Sequence, residues 1–208
     1  MGGLMTAEIA HPWPVPPQDG YTVDDLLTLP DLPPHTELID GSLVFVSPQR
    51  DFHSIAIDLL LSGLRRTVPA DFRVRREMTV VIDRRNGPEP DLIVVRAAAV
   101  RSLTQTYYQA RDVLLAVEVV SPDSESRDWN TKPHKYANAG IPHFWRVEMA
   151  STDERPVVDV FELDKPVVDV FELNKETRAY VPTGTYRDRL KLSEPFDIDI
   201  DLTEIDKL

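Results

Sequence analysis

Glu118 lies in LLAVEVV, residues 114–120, where every neighbour is apolar. An isolated carboxylate in such a run is costly to bury, so it must be paired, protonated or bound to a metal. Asp91 offers a companion. It stands at the mouth of another apolar run, EPDLIVV, 27 residues earlier in the chain. If the two runs are neighbouring strands, both carboxylates converge on one edge of a sheet. Two acids facing one site repel, and one pKa rises, unless a cation lies between them. Oxygen donors of this kind suit Mg2+ or Mn2+ rather than zinc. Such an ion can polarise a phosphoryl oxygen and acidify a bound water. A lysine close by would orient that water or offset charge building on phosphorus. The competing reading is structural: a buried ion cluster in which both acids pair with Arg or Lys.

The elements that must position these groups follow from the pattern. TVDDLLTLP places an N-cap candidate at Thr22, an acid three residues on and Pro30 as a stop, which predicts a short helix. TELIDGSLVFV reads as two strands joined by Asp40-Gly41, a strong hairpin signal. DFHSIAIDLLLSGLRRTV repeats apolar residues at Ile55, Leu59, Leu60 and Leu64, a helix with one buried face. His53 on that helix could donate to a phosphate or to a site acid, although a lone histidine is more often structural. FRVRREMTVVID reads as one strand and DRRNGPEP as a loop. PDLIVVR and DVLLAVEVVS are continuous apolar runs, which fit strands covered on both faces at the centre of an α/β layer structure. Ser121, just past the second run, reads as a turn residue. A helix is predicted over about 124–139, closed by Gly140 and Pro142. Pro133 fits only its first turn, so a start near Asn130 or Thr131 is the alternative. HFWRVE is the next strand.

PVVDVFELDK (156–165) is followed at once by PVVDVFELNK (166–175), one residue different. Two abutting ten-residue copies are a local duplication, not a solenoid. They predict an extra strand, as a hairpin or an extended edge, with no catalytic part. FDIDIDLTEID near the C-terminus alternates like an edge strand in its first half.

The chain has 208 residues, 42% hydrophobic and 28% charged, enough for a soluble globular fold with a sizeable core. We divide it into a Pro-rich mobile arm, residues 1–20, and one domain, residues 21–208. No run approaches the roughly 20 apolar residues of a membrane span. The start has neither a basic lead nor an apolar core of a signal peptide, so the expectation is a cytoplasmic protein without membrane contact. Zero cysteines exclude disulfides, thiolate metal sites and thiol catalysis. The formal net charge of −12 argues against non-specific phosphate binding by the whole surface. A local basic groove remains open, since Arg65, Arg66, Arg73, Arg75, Arg76, Arg84 and Arg85 share one third of the chain. Solvated helix and strand faces are the favoured account of them. No aromatic cluster marks a platform for stacking bases.

PD, then an apolar strand carrying an acid, then a lysine resembles the PD-(D/E)XK nuclease superfamily with its restriction-endonuclease-like fold. More narrowly, TELIDGSLVFVSP, EPDLIVV and VEVVSPDSESRDWNTKPHKYANAGIPHFWRV together resemble the Uma family within it, from about Tyr21 to Tyr180. PD alone is weak. The ordered set EVVSP, D-x-x-x-K-x-x-x-Y and AGIPHFW is specific. The superfamily lysine lies two residues after the acid, where this chain has Val120. The Uma pattern instead places it on the following helix, which maps to Lys132, with Lys135 as the competing candidate. A spacing of four then puts Asp128, Lys132 and Tyr136 on one helical face. Glu37 matches the family's hairpin acid, a further candidate metal ligand, or else a locally bonded hairpin residue.

The resemblance implies an α/β (α+β) fold: a restriction-endonuclease-like mixed sheet flanked by helices and extended by the N-terminal hairpin and C-terminal strands. It implies a Mg2+- or Mn2+-dependent endonuclease acting on DNA. Asp91, Glu118 and Lys132 would be catalytic, Asp91, Glu118 and Glu37 would hold the metal, and His53, Asp128 and Tyr136 would be accessory. A homodimer follows from the same likeness. The alternative is a catalytically silent nuclease-fold module binding a protein or nucleic acid. Action on RNA or on a special DNA structure is a lesser third reading.

Overall fold

The Asp40-Gly41 signal is realised in backbone geometry. Both residues take positive φ, 51° and 79°, as the two-residue turns that match strand twist require. In the computed structural model, which describes residues 15–46, 48–149 and 166–207, this turn joins β1 (Glu37–Ile39) to β2 (Ser42–Val44). Ahead of it, α1 (Val23–Thr28) starts at a capping box: Thr22 accepts from the Asp25 backbone, and Asp25 accepts from that of Thr22. Residues 1–14 of the proposed arm and the first copy of the duplication lie outside the described residues.

Six strands form the central sheet, in the order β10 (Ala179–Tyr186), β9 (Pro166–Asn174), β8 (His143–Met149), β7 (Val113–Val119), β5 (Leu92–Arg96) and β3 (Phe72–Arg76). Only β7 and β8 run parallel, so the sheet is mixed. The second duplicate repeat forms β9, an inner strand bonded on both sides. Alternation sorts the central strands onto two cores. Leu92, Val94, Leu115, Val117, Trp145 and Val168 pack with α2 (Asp51–Thr67). Ile93, Val95, Ala116 and Phe144 pack with Tyr136 and Ile141 on and just after α3 (Lys132–Ala139). Burial on both faces explains why these strands read as unbroken apolar runs.

The sequence reading needs three corrections. FRVRREMTVVID is two strands, not one. The chain turns at Glu77, φ 51°, whose N–H bonds the Asp91 carbonyl. Beyond it, β4 (Thr79–Val81) leaves the central sheet to pair in parallel with β6 (Tyr107–Gln109), a strand the sequence pattern did not flag. The hairpin β1–β2 does not extend the central sheet either. It forms its own two-stranded sheet, tied to the loop before β5 by reciprocal backbone bonds between Leu38 and Gly87. Among the C-terminal strands, β9 and β10 do extend the sheet. By contrast, β11 (Arg189–Leu192) and β12 (Ile198–Asp201) make a separate ribbon against α2. Its Ile198 and Ile200 are buried and Asp199 is exposed, the alternation FDIDID announces.

Candidate active site

The register of β5 on β7 pairs Leu92 with Val117. One step further, Asp91 falls opposite Glu118, and alternation sends both toward the α3 face. Asp91 turns one oxygen back onto the sheet, where Oδ2 accepts the Val119 N–H at 2.6 Å. Its other oxygen, Oδ1, meets His53 Nε2 at 3.0 Å. His53 is buried in the first turn of α2, so the helix is aimed at the Asp91 end of the sheet.

The chain after β7 folds back over the end of that strand as a helix with a widened turn. Arg127–Thr131 is a π turn, in which the Lys132 N–H bonds the Arg127 carbonyl, and α3 continues from Lys132. Pro133 is the cause we assign. It has no N–H to give to the carbonyl four residues back, and its ring crowds that carbonyl. Widening the preceding turn removes the conflict. The helix therefore begins before Pro133 and regains its α pitch around it.

This helix presents Asp128, Lys132 and Tyr136 to Glu118. Lys132 Nζ lies 3.0 Å from Glu118 Oε2, 2.9 Å from Glu37 Oε1 and 3.2 Å from Asp128 Oδ1. The Tyr136 hydroxyl donates to Glu118 Oε1 at 2.5 Å. Glu37 arrives from β1 and also accepts the Glu89 N–H at 2.8 Å, which locks the hairpin to the loop entering β5. Lys132, Glu37, Glu118 and Asp128 are all at most 4% exposed.

With Asp91 beside the three acids on Lys132, four carboxylates share a site that holds one ammonium, which compensates only one of them. Burial pushes the Glu118 carboxyl well above its ordinary range; Lys132 pulls it back, while Asp128, Asp91 and Glu37 push it further. Burial likewise raises Asp128 against the pull of Lys132 and a Ser124 hydrogen bond. For Lys132 burial works against the ammonium, yet the carboxylates of Glu118, Glu37, Asp128 and Asp91 win and hold its pKa well above the usual value. Tyr136 stays a neutral donor, because burial and the Glu118 charge both disfavour its phenolate.

An open cleft of about 290 Å3 leads to these groups, with Glu77, Glu89 and Asp123 on its walls. Its acidity fits a hard divalent cation. The donors are carboxylate oxygens, their charge exceeds what Lys132 neutralises, and buried Asp128 Oδ1 lacks a hydrogen bond and has only the ion contact to Lys132. Among the described residues, no three His, Asp or Glu side chains are already disposed as a metal cage. Lys132 accounts for this, since it draws Glu37, Glu118 and Asp128 onto itself. A cation held by Asp91, Glu118 and Glu37 would have to draw two of them partly away.

Of the residues singled out from sequence, Asp91, Glu118, Lys132, Glu37, His53, Asp128 and Tyr136 meet at one end of the sheet. Lys135 does not, for its Nζ bonds Asp40 Oδ1 at 2.6 Å on the hairpin side. Ser121 closes a turn with Ser124. The arginine cluster does not form a groove: Arg76 pairs with Asp58 and Glu77, Arg75 bonds Tyr108, and Arg85 caps the Asp40 carbonyl. Arg127 and His35, which line the cleft, went unnoticed. His35 pairs with Glu89 Oε1 at 2.7 Å across 54 residues, a contact no local pattern carries. Arg127 could have been found as the neighbour of Asp128 in SRDWNTK.

The sequence profile of the Uma2 family, described as "Putative restriction endonuclease", matches residues 23–203. Among solved structures, the chain is similar to a putative nuclease belonging to DUF820 from Anabaena variabilis ATCC 29413. The two share 16% identity with a TM-score of 0.61, over 88% of this chain and 96% of the other. No curated protein matches.

Proposed function

The chain belongs to the Uma2 family, and on that premise we propose that it is a metal-dependent endonuclease that hydrolyses phosphodiester bonds in DNA. The observation that carries the reading is the meeting of Asp91, Glu118 and Lys132 at the floor of an open acidic cleft. The putative nuclease named in the structural comparison shares the fold.

Asp91, Glu118 and Glu37 would hold Mg2+ or Mn2+, which supplies Lewis acidity toward a phosphoryl oxygen and a water of lowered pKa. The protein's own groups do the rest. Lys132 offsets negative charge building on the phosphate and orients the attacking water. Tyr136 and Asp128 fix Glu118 and Lys132, so that neither must reorganise as charge develops. His53 keeps the Asp91 carboxylate turned to its backbone anchor. The attack is direct, with no covalent enzyme intermediate. One site per chain cuts one strand at a time, so concerted cutting of both strands would take a homodimer, which sedimentation with and without DNA tests.

The deciding experiment titrates Mg2+ and Mn2+ into wild type and Asp91→Ala while plasmid cleavage is followed in the same samples. We expect metal binding and nicking in wild type and neither in the variant. Metal binding without cleavage of DNA would overturn the substrate. If neither signal is found in wild type, the nuclease reading falls and the binding module replaces it.

A further inference from the structure

The π turn that delivers Asp128 to the cluster also carries two side chains with no part in it. Arg127 lines the cleft, and its buried Nε has no hydrogen-bond partner. The cleft has three other basic side chains. His35 pairs with Glu89, His53 with Asp91, and Lys132 with three acids. Among the described residues Arg127 makes no ion pair, in a cleft rich in carboxylates that could have taken it.

Two residues on, Trp129 is 44% exposed. The Arg146 guanidinium lies over the ring, 3.6 Å from its centroid, and is itself fixed by Glu148 at 2.6 Å and Asp169 at 2.8 Å. The indole is therefore held in place while still open to solvent. A groove of about 200 Å3 runs along it between Phe52, Pro122 and Glu125. Arg146 is not part of that wall, so the indole turns a different surface to the groove. His53 and Ser121 line both groove and cleft, which places the two side by side.

We propose that the π turn is a nucleotide subsite: Arg127 takes a backbone phosphate in the cleft, and Trp129 stacks an unpaired base in the adjoining groove. A free guanidinium and a fixed, exposed ring two residues apart match the two chemistries of a nucleotide, its charged phosphate and its flat base. Stacking on an aromatic ring is open to any base, because every base has a π face, but a base inside a duplex cannot reach a side groove without leaving the stack. The preferred substrate is DNA with an unpaired or extruded nucleotide next to the scissile bond. This deepens the nuclease reading and rests on it for the identity of the ligand.

The test is the anisotropy of a fluorescein-labelled oligothymidylate and of its blunt duplex with oligoadenylate, titrated with the full-length protein in Ca2+ buffer. Wild type should bind the single strand more tightly. Trp129→Ala should weaken single-strand binding by roughly 5- to 150-fold, the worth of one base stack, and leave the duplex unchanged, with Trp129→Phe recovering part of the loss. Arg127→Ala should weaken both and flatten the slope of log affinity against log salt by about one. Equal affinity of wild type for the two forms, or an equal loss on both in Trp129→Ala, overturns the subsite. Because the readout is binding, a protein that neither binds metal nor nicks plasmid would sink the nuclease reading while leaving this test decisive.

Discussion

Lys132 is the residue on which the cluster turns. Its ammonium stands between Glu37, Glu118 and Asp128, all but sealed from water. Removing one partner from a buried charge set costs about 3–5 kcal/mol, because the others are left unpaired. Lys132→Met keeps the stem and deletes the charge, so we expect a stability loss of that order in urea unfolding without added metal. Lys135→Ala is the contrast. Its partner Asp40 is 70% exposed on its side chain, and exposed pairs contribute less than about 1 kcal/mol. We expect near-native stability and unimpaired nicking from it. If both variants behave alike, Lys132 is not the hub. The sequence singles out Glu118 by its apolar surroundings alone. It favoured Lys132 over Lys135 on the four-residue spacing of Asp128, Lys132 and Tyr136, and these three do meet around Glu118 although the π turn interrupts the α pitch between them.

At the scale of elements, α2 must be placed correctly for His53 to reach Asp91. Gly63 sets how closely the helix approaches the C-terminal ribbon: a Cβ there would come 2.5 Å from Ile200 Cδ1 and Cγ1. Gly63→Ala would gain up to about 1 kcal/mol in helix propensity. Overpacking of a filled core costs about 1–3 kcal/mol, so we expect a net loss near 1 kcal/mol, smaller in an Ile200→Val background. A net gain in thermal unfolding would mean that the ribbon yields freely and does not position the helix. Elements whose signals are local were legible from the sequence: the Thr22 capping box, the Asp40-Gly41 turn and the two-sided strands β5 and β7. The break between β3 and β4 was not, because a Glu77 at positive φ is stabilised by a backbone bond to Asp91 rather than by its own residue type. Nor was β6, whose three residues pair with a strand 28 positions earlier. The Trp129–Arg146 stack joins residues 17 apart on a helix and a strand, which no sequence spacing reveals.

For the whole molecule, the acidic excess of the chain, −12, reaches into the cleft, and this sets how stability responds to pH. Burial raises the carboxyls of Glu118, Asp128, Glu89 and Glu148 above their unfolded values of about 4.5, 3.8, 4.5 and 4.5. A raised acid stabilises the fold below its unfolded pKa, and that contribution is lost as pH rises through the folded pKa. His35, raised by its hydrogen bond to Glu89, acts in the same sense above its unfolded 6.5. His143 opposes them. Burial lowers it from 6.5, so its contribution is present above that value and fades as pH falls. Lys132, raised above 10.5, does not titrate in this range. The lowered acids Asp25, Asp40, Asp199 and Asp201 withdraw support only as pH falls below about 3.8. Four acids and one histidine therefore outweigh His143, and the metal-free protein should be more stable at pH 5.5 than at pH 8. Urea unfolding in EDTA measures this, and Glu118→Gln should flatten the slope by removing its most perturbed acid. Mn2+ binds deprotonated carboxylates of the folded state, so it should raise the unfolding midpoint most at pH 8 and reverse the trend. Stability that climbs from pH 5.5 to 8 without metal, with the same slope in Glu118→Gln, would mean that Lys132 already neutralises the cluster and that its acids do not need a divalent cation.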